Sequence, residues 1–199
     1  MSGVKSSDDS LVDIHELLDE FYASPTGHDQ LATFCAVESV PSPYDSLLDH
    51  HAHMTVTVER HYGEKVAVEV DRWHRRDRWY SREIVLVTQQ SRQVVQYGIV
   101  RLDTTALQPE VWKKIESRTM PLGRVLIEHN VLREVQLCGL WQVTAGPRLA
   151  QLLQIDIGQT TYGRTALIYC NRAPAIELLE IVAPCKKHSP DRRTEVSDA

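Results

Sequence analysis

Residues Ser81–Thr88, SREIVLVT, are followed by the polar run Gln89-Gln90-Ser91-Arg92 and then by Val94–Leu102, VVQYGIVRL; this stretch decides the fold. Both flanks are rich in β-branched residues, and the break between them is long enough only to reverse the chain, so an antiparallel hairpin is expected. Toward the C-terminus, Glu134–Val143, Thr161–Cys170 and Ala175–Ala183 read as further strands, the last two joined by Asn171-Arg172-Ala173-Pro174. Toward the N-terminus, Met54, Val56 and Val58 alternate with Thr55, Thr57 and Glu59, which predicts another strand. The turn Tyr62-Gly63-Glu64 would fold it onto Val66, Val68 and Val70 as a second hairpin. Helices are expected in four places: after Ser10, with the stripe Leu11, Ile14, Leu17, Leu18 and Phe21 and Asp13 at the reciprocal capping position; after Ser42-Pro43-Tyr44-Asp45; from Pro109, with Val111, Trp112 and Ile115 on one side; and after Gly146-Pro147. Strands joined by short turns, with helices between some of them, give the α+β class: a single antiparallel β-sheet with helices packed on one side.

The chain has 199 residues, 42% of them apolar and 25% charged, enough for one core. One domain is expected over residues 10–185, with disordered ends at 1–9 and 186–199. A net charge of -5 argues against a general affinity for nucleic acid or anionic membranes. The segment Arg72-Trp73-His74-Arg75-Arg76-Asp77-Arg78-Trp79 is a local basic exception and reads as a solvated turn between two strands. No stretch is apolar for the roughly 20 residues a membrane span requires, and the polar N-terminus lacks a secretory signal, so a cytoplasmic location is expected. Cys35, Cys138, Cys170 and Cys185 form no CxxC pair and read as reduced, mostly packed thiols.

Strand parity singles out two residues. Arg82 shares a face with Ile84 and Leu86, and Glu180 shares one with Ile176, Leu178 and Val182. If those faces pack on the core, both charges point inward, and a buried charge requires a partner. They would pair with each other, reach water at a strand end, or line a closed pocket for a small ligand carrying a carboxylate and a hydroxyl.

Three ordered segments resemble the chorismate lyase family. The first is Leu47-Leu48-Asp49, then Met54-Thr55, then Arg82-Glu83-Ile84-Val85-Leu86. The second is Pro121-Leu122-Gly123-Arg124-Val125-Leu126, similar to that family's PLG-R-x-L turn. The third runs from Tyr162-Gly163-Arg164 through Pro174 to Glu180-Ile181-Val182-Ala183-Pro184. The resemblance covers about residues 41–184 and implies a chorismate lyase-like, UTRA-like fold. It implies a cofactor-independent carbon–oxygen lyase, a chorismate pyruvate-lyase that takes chorismate to pyruvate and 4-hydroxybenzoate and works as a monomer. It implies that Arg82 clamps the ring carboxylate with the Met54 backbone N–H, and that Glu180 and the Leu122 N–H meet the ring hydroxyl. Arg164 matches a further arginine of the pattern and is the first candidate to face the departing enolpyruvyl carboxylate. In an apolar pocket Glu180 would have its proton affinity raised and serve as acid, base or orienting group. Leu179, where the family often has threonine, is a departure, and the loop Gln151–Gln159 has no match. The same fold also serves as the effector-sensing domain of some bacterial transcription regulators. A non-catalytic aromatic-carboxylate-binding protein is therefore the alternative, and the acidic stretch before residue 40 is expected to be too short for a regulator's DNA-binding domain.

Asp49-His50-His51-Ala52-His53 invites a metal reading, but at most two of its imidazoles would converge, so no metal is expected. Glu177 and Glu180 fall on opposite faces and are not a catalytic carboxylate pair.

Overall fold

A computed structural model describes residues 12–24 and 26–185. The expected disordered ends, and Ser10 and Leu11 of the first helix, lie outside the described residues. Helix α1 (Ile14–Tyr22) is capped instead by Asp13, whose carboxylate accepts from the His15 N–H at 2.8 Å. In chain order there follow α2 (Gly27–Leu31), β1 (Ala32–Val37), α3 (Tyr44–Leu48), α4 (Met54–Tyr62), β2 (Val66–Arg76), β3 (Trp79–Thr88), β4 (Val94–Asp103), α5 (Pro109–Glu116), α6 (Leu122–Glu128), β5 (Arg133–Ala145), α7 (Pro147–Leu153), β6 (Thr160–Cys170) and β7 (Ala173–Val182). The seven strands form one sheet in the order β1-β5-β6-β7-β4-β3-β2, with every neighbouring pair antiparallel. This is the α+β single-sheet architecture expected.

Alternation along the central strands sorts side chains onto two faces. Arg82, Ile84 and Leu86 share one face with Gly98 and Val100 of β4 and with Leu178 and Glu180 of β7. Helices α3, α4, α5 and α6 cover that face through Leu47, Leu48, Met54, Val58, Ile115, Val125 and Leu126. Glu83, Val85 and Val87 point the other way, where α1, α2 and α7 add a second cover through Leu17, Leu18, Leu31 and Leu149. The central strands are consequently buried on both sides.

Four local expectations are corrected. The alternating run from Met54 is helix α4, not a strand. Met54, Thr55, Thr57 and Val58 are its buried residues, a helical set one to four apart, whereas Val56 is only half-buried. The β-branched composition favours a strand, and packing overrides that weak local preference. Gly63, read as a hairpin turn, is the left-handed C-cap of α4 at φ 68°. The segment after Pro121, read as a turn and a short run, is helix α6. The basic segment 72–79 is mostly strand: β2 runs to Arg76, and only Asp77 and Arg78 lie between it and β3. Exposed Trp73 carries the Arg118 guanidinium 4.0 Å above its ring. The edge strand β1 was not anticipated, because ATFCAV is too short and mixed to announce itself. All four cysteines are free; Cys35 is exposed, and burial raises the Cys170 thiol to about 11.

A candidate pocket between the sheet and helices α4 and α6

Five elements meet over the centre of the sheet. Strands β3, β4 and β7 supply a floor, and the first turns of α4 and α6 form a wall. The pocket is open at its mouth; about 470 Å³ is free of atoms, that open part included, and it is bounded by Met54, Arg82, Gly98, Leu122 and Glu180 together with apolar Ile84, Val100 and Leu178. Gly98 opens the floor: it stands across from Ile84 on one side and Glu180 on the other, and has no side chain to fill the gap. A Cβ there would meet the Leu179 carbonyl oxygen at 3.2 Å and the Ile84 Cδ1 at 3.6 Å. The first N–H groups of any helix have no intrahelical acceptor, and Met54 and Leu122 are the first residues of their helices. Both line the cavity.

Arg82 is 1% exposed, and its Nε and Nη1 find no hydrogen-bond partner. Burial pushes its pKa below the ordinary guanidinium value. Glu180, 8% exposed, does not pair with it. Instead Arg164, its register partner on β6, donates from Nε to Glu180 Oε2 at 2.8 Å. Gly163 permits this closeness, because a Cβ at that position would lie 2.8 Å from the Glu180 carbonyl oxygen.

Arg164 is therefore not the pocket residue the resemblance implied. It is 1% exposed and does not line the cavity. Its remaining nitrogens donate to the carbonyls of Leu48 (3.3 Å), His50 (2.8 Å) and Ala52 (3.1 Å). It ties the α3–α4 loop to Glu180 and leaves no nitrogen for a ligand carboxylate. The expectation that Glu180 lies among apolar groups alone is corrected by the same contact. The other four expected residues, Met54, Arg82, Leu122 and Glu180, are brought together around one space.

Two pocket residues were missed. Gln96, 3% exposed, lies on the same face and sends its Nε2 toward Glu180 Oε1 at 3.5 Å. A lone amide inside VVQYGIVRL was the available signal. His53 lines the wall, and burial next to Arg133 and Arg164 lowers its pKa to about 4. Its Nε2 accepts from Arg133 Nε at 2.6 Å. Its neighbours in the histidine run go elsewhere, His50 to Arg164 and the Leu47 carbonyl, His51 to the Val135 carbonyl. Among the described residues no group of three or more His, Cys, Asp or Glu is placed to hold a metal ion.

Among solved structures, the effector domain of PhnF from Mycobacterium smegmatis superposes with a TM-score of 0.51 at 11% identity, covering 66% of this chain and 88% of that domain. PhnF itself, from the same organism, superposes with a TM-score of 0.50 at 11% identity, and the match spans 66% of this chain but only 64% of that one. The fold is UTRA-like. At such identity the likeness carries the UTRA-like architecture and nothing about ligand. No protein-family model and no curated protein matches the sequence. No described helix is long and apolar enough to cross a membrane.

Proposed function

We propose that this protein binds a small ring carboxylate of the 4-hydroxybenzoate class in the pocket between the sheet and helices α4 and α6. One observation carries the reading: a guanidinium buried to 1% exposure, with two nitrogens that find no partner, belongs to a residue lining the pocket. A buried donor left unpaired costs about 1 to 3 kcal/mol, and more when charged. A carboxylate offers two parallel acceptors to the fork of an arginine and removes that cost. The Glu180 carboxylate and the Leu122 N–H suit a hydroxyl, which both donates and accepts. Ile84, Val100 and Leu178 supply the apolar surface for the ring between them. The PhnF neighbour is described as an effector domain, which agrees with a binding role. The test is calorimetric titration with 4-hydroxybenzoate: saturable binding that Arg82→Ala abolishes is expected, and undiminished binding by that variant would remove Arg82 from the site.

A second reading, chorismate pyruvate-lyase, is favoured by a separate observation. The four positions that the family resemblance assigns to substrate, Met54, Arg82, Leu122 and Glu180, all border one cavity. Arg82 would then hold the ring carboxylate, Glu180 would orient the ring hydroxyl, and exclusion of water would favour one reactive conformer. Incubation with chorismate decides between the two readings. Pyruvate and the ultraviolet band of 4-hydroxybenzoate would establish the lyase; binding of 4-hydroxybenzoate without turnover leaves the carrier or sensor role.

A further inference from the structure

The end of the pocket opposite Arg82 holds more acceptor capacity than a single ring hydroxyl can use. Glu180 Oε2 is engaged by Arg164, while Oε1 faces the Gln96 amide. Gln96 is 3% exposed, and its Oε1 is buried without a partner. The orientation of that amide follows from charge: turned over, it would set its carbonyl against the Glu180 carboxylate and leave its two N–H donors toward the apolar wall. With Nε2 committed to Glu180, the carbonyl oxygen on the same amide carbon stands a few ångströms from the carboxylate, on a residue that lines the pocket. Apolar side chains surround it, Leu86 across from it on β3 and Val182 across from it on β7. A buried carbonyl without a donor is destabilising. The described residues supply no donor, so the donor must come from what fills the space.

We infer that the pocket is tuned for a ring carboxylate bearing two neighbouring hydrogen-bond donors, a vicinal dihydroxybenzoate, with Gln96 as the residue that selects the second hydroxyl. The inference rests on the carboxylate-binding reading above and specifies its ligand. Arg82 takes the carboxylate, Glu180 the hydroxyl across the ring, and the Gln96 carbonyl accepts from the hydroxyl on the adjacent carbon. A ring with hydrogen at that carbon leaves the carbonyl unpaired. A methyl ether there brings an oxygen with no proton to give.

The experiment is titration calorimetry on the full chain with 4-hydroxybenzoate, 3,4-dihydroxybenzoate and 4-hydroxy-3-methoxybenzoate. One neutral hydrogen bond in a buried site corresponds to roughly three- to tenfold in affinity. The 3,4-dihydroxy acid is expected to bind tighter than 4-hydroxybenzoate by that factor, and the methyl ether weaker than both. Gln96→Leu, close in volume and apolar, should erase the preference for the second hydroxyl. Equal or weaker binding of the dihydroxy acid by the unaltered protein overturns the inference, as does a preference that survives in Gln96→Leu. The three-ligand series on the unaltered chain decides the matter even if that variant does not fold. Tight binding of 4-hydroxybenzoate with no effect of the second hydroxyl sinks this inference alone, whereas failure of all three acids to bind sinks the carboxylate reading with it.

Discussion

Arg82 and Glu83 are consecutive on one strand, equally hidden from solvent, and in opposite situations. Glu83 faces α1 and is saturated: the hydroxyls of Tyr22 and Tyr97 donate to its Oε1, the latter at 2.7 Å, and Arg72 Nε donates to Oε2 at 2.7 Å. Arg82 faces α4 and α6 with two nitrogens unpaired. A buried charge with a full set of partners belongs to the architecture. One that lacks partners, on a residue lining a pocket, is what the proposed binding site rests on. Burial alone does not distinguish the two, and neither does charge; the distinction lies in whether the chain itself completes the hydrogen bonding.

Breaking the saturated side should have the largest effect. Glu83→Leu would strip Tyr22, Tyr97 and Arg72 of their shared acceptor, and a loss of about 3 to 5 kcal/mol is expected, readable as a lowered urea midpoint. Arg164→Met is next: it leaves Glu180 as a buried carboxylate without its cation and frees the carbonyls of Leu48, His50 and Ala52. A loss approaching the same range is expected, together with weakened binding of 4-hydroxybenzoate, because Glu180 would no longer be held in place. Arg82→Met should go the other way. Removing an unpaired buried cation is expected to leave the empty protein as stable or more stable by about 1 to 3 kcal/mol, while ligand-induced thermal stabilisation disappears. A melting temperature that drops in Arg82→Met would mean the guanidinium is as well satisfied as Glu83, and the contrast between the two residues would collapse.

The smallest effect concerns pH. His53 titrates at about 4 in the folded chain against 6.5 ordinarily, and His50 is lowered as well, both chiefly by burial. Between those two values the unfolded chain binds more protons, so stability should fall as the pH is lowered through that window. His53→Gln, which keeps an acceptor for Arg133, should flatten that part of the curve. A profile identical to that of the unaltered protein from pH 6.5 to 4 would show that His53 is not held neutral by its surroundings.

What the sequence disclosed follows from how local each signal is. The hairpins at 79–103 and 160–182 were legible because alternation and turn residues act within a few positions. The inward parity of Arg82 and Glu180 was legible for the same reason. Helix α4 was not: MTVTVERHY carries a strand's composition, and what makes it a helix is its packing with α6, where Thr55 Oγ1 and His53 Cβ stand 3.0 and 3.2 Å from the position of a Cβ on Gly123. The role of Arg164 was hidden as well, since its partners come from residues 48–52 and from 180. Pairing at such separation leaves no periodic trace. Gln96 keeps the same parity, on one face with Gly98 and Val100, and escaped notice because a neutral amide signals the cost of burial less loudly than a charge does.

Gly98 sets the dimensions of all this. At one strand position in the middle of the sheet the pocket floor has a hydrogen where its neighbours have side chains. Its depth is thus fixed by the backbone, which does not relax as a side chain does. A methyl group at that notch would stand 3.2 Å from the Leu179 carbonyl oxygen and 3.6 Å from Ile84 Cδ1, so a substitution there narrows the floor from the side least able to give way.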